Sequence, residues 1–508
     1  MSQTVHQRAF CIFSLGCLTI PIVLAGCVPA QYGPAVAYYA EKTAVTNPDA
    51  RHTATSPFYR FNAAILSDLD DAIACPDAQT QSKLATSVLQ SANELSRTAT
   101  ANEIKRMPDQ ACQKLASIAN VSADRLKLAN HFALIARAAL ESDLQEVNQV
   151  SPSELRSKLV NIRKRLAVLP DDKNRLTRQL LYAWAAPMTA LGIAREESHL
   201  ADKCIAKAEK KFDRIALWRP KRLDEASLIG KYAPIIGVEW PAQRTYDANL
   251  DRIGGVRLIG TNQIDKVSID PADPTVYTYL TNAKIQGQKF KQLNYVWWLD
   301  ERPEMVKDDP ASGHIDGSML RITLDANDRP LFVESSLNCG CAHEVFVSNH
   351  IESAAQKAFG GAVKGKRFAV EKNLTGKHDV VVINTFDLES QADRTLVLLS
   401  AGYHEVCQVS FNSSKWSDAL AIAEETTYQL ADYDSLDALP VGGGIASMFG
   451  SDGLVHHAGR PEGYMLVPSG ILSAGQPRKR GTQRIRWDDH LHDDPHLLEN
   501  TLRIPKLD

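Results

Sequence analysis

The hydrophobic repeat changes once along this chain, near Tyr232, and the change separates what can fold as helix from what can fold as sheet. Upstream, from residue 57 to about 218, apolar residues recur at helical spacing. Leu84, Val88, Leu89, Ala92 and Leu95 form one such face, and Leu126, Leu128, Phe132, Leu134, Ile135 and Ala138 another. Ser151-Pro152-Ser153-Glu154 adds a start signal: Ser151 can cap, Pro152 suits the first turn, and Glu154 can complete a capping box. Leu169-Pro170 ends that helix, and Asp171-Asp172 open the next with charges suited to a helix N-terminus. Short connections between such helices predict an antiparallel bundle. No fixed repeat stands out, so a solenoid is the second choice.

Downstream, Pro234, Pro241, Gly254, Gly255, Gly260, Pro271 and Pro274 punctuate short runs rich in Val, Ile, Tyr and Trp. Strands are predicted over residues 275–283, 289–299, 319–324, 331–335, 345–347, 380–386, 395–400 and 405–411. Residues 325–330 (DANDRP) read as a hairpin turn. One helix is predicted over 413–430, with Ser413 or Ser414 as cap. After Ser435 the chain carries Gly442-Gly443-Gly444, a basic Arg478-Lys479-Arg480, and a short helix running from Asp494-Pro495 toward Leu502. The fold class expected is α+β, an N-terminal α-helical bundle followed by a β-rich domain with few helices. Its parts are a helical domain over 57–225, a β-rich domain over 226–435, and a loop-rich C-terminal extension over 436–508 packed on it.

Ahead of the folded body, Arg8 precedes the uncharged run CIFSLGCLTIPIVLAG, which closes on Leu24-Ala25-Gly26-Cys27. That is the layout of a secretory signal. It resembles the bacterial lipoprotein signal, in which the cysteine after the cleavage site is acylated and becomes the new N-terminus. Residues 1–26 then form the signal peptide, Cys27 carries the lipid, and 27–56 is a tether. As a membrane span the run is short and holds Gly16 and Pro21. The most apolar later stretch, 180–194, is also short, is broken by Pro187 and Thr189, and reads as a buried helix. Val28 stands where an inner-membrane retention signal resembles Asp, which points to the outer membrane with the protein facing the periplasm.

At 508 residues, 44% hydrophobic and 23% charged, the chain has the composition of a globular protein of two or three domains. A net charge of −3 gives no reason to expect nucleic acid as a partner. Of nine cysteines, Cys11 and Cys17 leave with the signal and Cys27 takes lipid. Cys75, Cys112, Cys204, Cys339, Cys341 and Cys407 remain, an even set in an oxidising compartment. The expected bridges are Cys75 with Cys112, and Cys407 with Cys339 or Cys341.

Cys339-Gly340-Cys341-Ala342-His343 is the densest reactive cluster. If extended, its period of two puts Cys339, Cys341 and His343 on one face, three ligands suited to zinc or monovalent copper. A fourth comes from His404 or Cys407, which lie three apart and so point to opposite faces of a regular strand. A disulfide through Cys407 is the preferred reading, a metal site the second and a reactive thiol the third, so no cofactor is expected by default. His314 and Asp316 share a face if Gly313–Gly317 is extended and can act as an acid/base pair, although the flanking glycines favour a polar turn. The acidic, His-rich run 488–496 reads as a solvated turn before a helix. No Gly-x-Ser-x-Gly, P-loop, dinucleotide fingerprint or His-Glu-x-x-His is present. Gly442–Gly444 supplies unusual backbone angles. Tyr295 and Trp297 share one strand face and Trp298 takes the other; core packing is the preferred role, and an exposed Trp298 serving a ligand or partner is the alternative.

The stretches QLNYVWWLDERP (292–303) and DGSMLRITLDANDRPLFVESSLNCGCAH (316–343) resemble segments of uncharacterised envelope lipoproteins of proteobacteria. The resemblance covers roughly a tenth of the chain and implies a bacterial envelope origin, with no activity, cofactor or catalytic residue attached. The expected function is therefore a lipid-anchored envelope lipoprotein with a binding or assembly role. Its expected partners are the membrane, through the lipid, and an envelope protein. The alternative is a metal-binding protein or metal-dependent enzyme built on Cys339, Cys341 and His343, and a hydrolase using His314 and Asp316 ranks third.

Overall fold

The computed structural model describes residues 35–36, 38–39, 58–166, 215–221, 227–239, 246–260, 264–305, 307, 309, 311–374, 380–388, 394–411, 423–442, 444–450, 452–465, 475–483 and 491–507. Cys27, Cys204, the helix expected after Leu169-Pro170 and the apolar stretch 180–194 lie outside them, as do residues 412–422 and 484–490.

Helices α1 (Ala63–Ala74), α2 (Ala78–Arg106), α3 (Asp109–Ala119), α4 (Arg125–Val147) and α5 (Pro152–Leu166) precede the first strand. Each start has a local cause. Asn62, Asp77 and Asp124 cap α1, α2 and α4 by accepting from the backbone N–H three residues on, at 2.9, 2.7 and 2.9 Å. Ser151 caps α5 as its sequence predicts, accepting from the Glu154 amide at 3.3 Å. Pro108, which has no N–H, follows the end of α2. The helices are pinned by buried polar bonds as well as apolar contact. Asn93 of α2 donates to the Phe58 carbonyl at 3.1 Å and to the Ala136 carbonyl at 2.9 Å. Part of the expected tether belongs to this core: Ala35 and Tyr39 are buried with Ile104, Met107 and Phe132, and the Tyr39 hydroxyl donates to Thr100 and Glu103. Two tyrosines and flanking Ala and Val give that stretch enough apolar surface to dock.

The second half is one eleven-stranded sheet in the order β10-β9-β8-β7-β6-β5-β13-β1-β2-β11-β12. Its strands are β1 (Ile215–Pro220), β2 (Ile235–Glu239), β5 (Thr275–Ile285), β6 (Gln288–Arg302), β7 (Gly313–Leu324), β8 (Pro330–Leu337), β9 (His343–Ser348), β10 (Val380–Phe386), β11 (Leu396–Leu399), β12 (Val406–Ser410) and β13 (Glu424–Asp432). The sheet coils into a nearly closed barrel. Its two end strands meet through Phe386 of β10 and Phe411 beyond β12, ring centroids 4.8 Å apart. Alternation decides what goes inside. Leu293, Tyr295, Trp297 and Leu299 of β6 join Leu320, Ile322 and Leu324 of β7, Trp218 of β1 and Tyr428 of β13 in one buried cluster. The barrel is filled by side chains.

The outer face is covered too. Hairpin β3 (Gly255–Ile259) and β4 (Lys266–Asp270) and the C-terminal extension cover Val296, Trp298 and Met319 with Met448, Phe449 and Val455. Further round, α6 (Asn349–Phe359) and α7 (Leu497–Thr501) cover Phe332, Val345 and Val347. α6 is the crossover that the parallel β9–β10 pair requires. The helical half docks on β5, the start of β6 and the end of β13: Lys284 pairs with Asp71, Lys289 with Asp68 at 3.0 Å, and Asn102 donates to Asp432 at 2.9 Å.

The eight strands and the hairpin turn expected from sequence are present, several of them longer. Two expectations fail. Residues 424–430 are strand, not helix: β13 runs parallel to β1 and β5, and Thr426, Thr427 and Tyr428 suit that place, with the Tyr428 hydroxyl donating to the Pro234 carbonyl at 2.6 Å. β1 lies in the range assigned to the helical domain, yet it pairs with β13 and β2 inside the sheet. Trp298 is fully buried, its ring 6.1 Å from Phe449, which is the core-packing role preferred for it and sets aside the alternative of a ligand surface. Barrel closure through Phe386 and Phe411 predicts that Phe411→Ala destabilises the chain by about 3–5 kcal/mol, read as a lower urea midpoint. A change under about 0.5 kcal/mol would mean that the seam bears no load.

Candidate functional site

Strand β7 carries a buried polar cluster on each face. On the outer face, Arg321 of β7 stands directly opposite Glu334 of β8. Its Nε donates to Glu334 Oε2 at 2.9 Å and its Nη2 to Oε1 at 2.7 Å, a bidentate pair with both side chains sealed from solvent. His343, which opens β9, places Nε2 3.0 Å from the same Oε1. The C-terminal extension closes the cluster: the Arg321 Nη1 donates to the His492 carbonyl, and the His492 ring meets His343 edge-on at 5.6 Å. Burial alone raises the Glu334 pKa, but Arg321 and His343 overcome it and hold the carboxyl well below the usual range. Burial and the neighbouring Arg321 push His492 down to about 4, so it stays neutral.

Glu334, His343 and His492 are the one group among the described residues whose donor atoms all lie within 4.8 Å, as a metal ion would need. Their surroundings do not suit a cation. Both Glu334 oxygens are taken by Arg321, whose fixed positive charge already neutralises the carboxylate. Glu334 is already one half of an ion pair with Arg321, and the two imidazoles pack against that pair, His343 through Nε2.

On the inner face, at one end of the barrel, His404 lies between two carboxylates. Its Nδ1 is 2.7 Å from Asp316 Oδ2 and its Nε2 3.2 Å from Asp251 Oδ1. Arg460 Nη2 donates to the other Asp316 oxygen at 2.5 Å, and the Gly402 amide and Tyr246 hydroxyl donate to Asp251. Burial lowers the His404 pKa, but these carboxylate bonds more than reverse it and favour the imidazolium. For Asp316, burial is outweighed by Arg460 and His404, and the carboxyl is held far below its ordinary value. Two anions face two cations, and the cluster is balanced. His404 is reached through a turn in which Gly402 takes φ +74° and His404 itself φ +60°. At Gly402 a Cβ would meet the Met305 sulfur at 2.3 Å. The arrangement can position a proton, but His404, Asp316 and Asp251 are sealed, and the nearby Ser318 hydroxyl donates to the His404 carbonyl. It offers neither nucleophile nor access to a substrate.

The expected sites map onto this frame unevenly. Cys339, Cys341, His343, His404 and Cys407 are not brought together. His343 turns to Glu334, His404 to the aspartates, and Cys407 enters the apolar barrel core. Residues 339–342 are not extended but form the tight β8–β9 turn, with Gly340 at φ +93° and Ala342 at φ +53°. No bridge joins Cys75 to Cys112 or Cys407 to either turn cysteine. His314 and Asp316 are in strand, not turn, yet they do not pair: His314 Nε2 lies 2.8 Å from the Val267 carbonyl. Ile315 between them takes φ +59°, which breaks the alternation that would align them. His492 and Asp493 are buried rather than solvated, and His496 occupies the N-cap position of α7 without a side-chain capping bond, while Asp494, the expected cap, accepts from the His496 amide at 2.9 Å.

Sequence reading missed Arg321, Glu334, Asp251 and Arg460. A signal existed for the first two: a lone charge inside each of the apolar strands MLRITL and PLFVESSL, in neighbours across a predicted hairpin. It also missed a cleft of about 1010 Å³ between α1, α2, α4 and the β5–β13 edge of the barrel. Leu280 projects into it, 61% exposed. Arg97 and Arg137 enter from adjacent helices, and burial together with Arg137 lowers the Arg97 pKa. Arg97 Nε and Asn93 Oδ1 are buried there without a hydrogen-bond partner among the described residues.

Two of the buried histidines, His404 and His492, predict opposite pH dependence. His404, raised from 6.5, contributes stability that is complete below about pH 6.5 and is lost as pH rises through its folded value. His492, lowered from 6.5 to about 4, contributes stability that is lost as pH falls through that range. Urea unfolding across pH should show His492→Asn flattening the acid limb and His404→Asn flattening the alkaline one. Parallel profiles for native chain and variants would refute this assignment. No protein-family model, curated protein or solved structure matches the chain.

Proposed function

We propose that the mature chain is an envelope lipoprotein, held on the outer membrane through lipid on Cys27 and facing the periplasm. Its helical bundle and barrel together form a binding scaffold for another envelope protein. The cleft at their seam is the observation that carries this reading. It is large enough for a peptide segment or loop, within the range of ordinary ligand sites or slightly above it. It combines an exposed leucine with arginines from two helices and with Asp432 and Asp434 at the barrel edge. Buried polar atoms without partners in its wall are unfavourable in the isolated chain and gain by meeting a ligand. The two buried clusters on β7, by contrast, are sealed from solvent and have no surface to offer.

The anchoring half of the proposal draws on Leu24-Ala25-Gly26-Cys27 and on the resemblance of the β6–β9 segments to envelope lipoproteins. No helix among the described residues is long and apolar enough to cross a membrane. Cys27→Ser should release the protein from the membrane fraction or leave the precursor unprocessed. A native N-terminus that is unmodified and lies downstream of Cys27 would overturn the anchor. For the cleft, a photo-crosslinking residue at position 280 in intact cells should give a discrete adduct. That adduct should weaken at least several-fold when Arg97 and Arg137 are both replaced by Glu, while a crosslinker at exposed Leu126 gives a different pattern. An adduct at 280 indifferent to the arginine reversal would place the partner elsewhere.

A further inference from the structure

The β8–β9 turn holds two thiols in an arrangement unlike that of the other described cysteines. Cys407 is packed in the barrel core, and Cys112 is buried between helices, where loss of solvent pushes its thiol pKa up. Cys339 and Cys341 instead sit on a turn fixed by its own backbone. The Leu337 amide donates to the Cys341 carbonyl at 2.9 Å, and the Gly340 amide donates to the Leu337 carbonyl at 2.8 Å. Within the turn the Cys341 amide donates to Cys339 Sγ at 3.4 Å, so the first sulfur lies folded over the second residue. Cys339 is 9% exposed and Cys341 is more open.

Local geometry suits these two sulfurs to each other. In a strand, residues two apart stand about 6.6 Å from Cα to Cα, twice the rise per residue and near the limit of what a disulfide spans. Here the chain turns instead of running extended, the left-handed angle between the two cysteines falls on Gly340, which has no Cβ, and Cys339 Sγ reaches the Cys341 amide at 3.4 Å. A hydrogen bond from the Cys341 thiol, followed by the positive charge of Arg460, draws the Cys339 thiol pKa down against burial and the opposing charge of Glu462. Arg460 is itself held by Asp316, so this charge is fixed in place.

We propose that Cys339 and Cys341 form a thiol–disulfide exchange site whose substrates are disulfides, closing to an internal Cys339–Cys341 bridge as the incoming disulfide is reduced. The steps balance. The more exposed Cys341 passes its proton to Cys339 along the hydrogen bond between them and, as thiolate, attacks one sulfur of the incoming disulfide. The substrate S–S bond breaks, its second sulfur leaves as a thiolate, and a mixed disulfide remains on Cys341. Cys339 then attacks the Cys341 sulfur, the mixed bond breaks, and the internal bridge forms. The two protons given up by the pair end on the two product sulfurs, and the two electrons lost by the pair reduce the substrate. A partner dithiol runs the same steps in reverse. A bridge across so small a ring is strained, which makes it easy to reduce and suits it to exchange rather than to fastening the fold.

The experiment equilibrates the full-length native protein with mixtures of reduced and oxidised glutathione, quenches with acid, alkylates, and weighs the peptide that carries residues 339–341. The expected result is a peptide that loses two hydrogens, in proportion to the oxidising strength of the mixture, and retains no glutathione. Cys339→Ser should trap glutathione on Cys341, at a level at least ten-fold above that on the native chain. Persistent glutathione on either cysteine of the native chain, or a peptide that stays dithiol while the mixture turns oxidising, overturns the proposal. Because the native chain alone can support or overturn the exchange site, misfolding of the variant does not weaken the test.

Discussion

Strands β6 and β7 are buried on both faces, and most of the molecule follows from that. One face supplies the barrel core through Tyr295, Trp297, Leu320 and Ile322. The other lies under the extension, where Trp298 and Met319 meet Phe449 and Met448. A strand covered on both sides has no solvent face on which to put polar residues, so any charge it carries must be paired inside. Arg321 takes Glu334, and Asp316 takes His404 and Arg460. Removing one partner from such a buried pair leaves the other uncompensated, at about 3–5 kcal/mol. The C-terminal extension is thereby tied to the barrel by charge as well as by apolar contact: His492 and Arg460 come from it, and the groups they meet come from the sheet.

The fold was legible where one local signal sufficed. Alternating apolar residues located β5 to β12, the DANDRP turn located the hairpin between β7 and β8, and Ser151 located the start of α5. It was illegible where structure depends on a distant partner. β13 reads as the end of a helix until β1 and β5 are set on either side of it, and β1 reads as the tail of the helical half until β2 and β13 flank it. Parallel pairs of this kind bring together strands far apart in sequence, and neither strand alone announces the other. Tyr39 was hidden for a related reason, because its burial depends on Thr100 and Glu103 of α2, more than 60 residues on.

For the site, sequence found reactive residues but not their company. His343 and His404 stand in segments correctly read as chemically dense, yet each meets carboxylates from other strands rather than the neighbouring cysteines. The period of two that was to align Cys339, Cys341 and His343 is broken by Gly340 and Ala342 in left-handed conformation. The same break that dismantles a metal site on one strand face is what folds Cys339 over the Cys341 amide. A single glycine thus changes the chemistry open to the two thiols, from ligating one ion together with His343 to reacting with each other.

Pairing also explains where function can reside. Both β7 clusters are sealed, so they offer no surface and serve to hold the barrel and its extension in register. The seam between helices and barrel is different. Its contacts are ion pairs along one border, Lys284 with Asp71 and Lys289 with Asp68, while within the cleft Arg97 pairs with Glu94 and has its pKa lowered by burial and by Arg137. Exposed Leu280 and the unpartnered Arg97 Nε and Asn93 Oδ1 leave that wall able to gain from a ligand. Stability therefore concentrates in the sheet, and the binding site we propose lies where the two halves of the chain meet, with Arg97 Nε and Asn93 Oδ1 unpartnered in its wall.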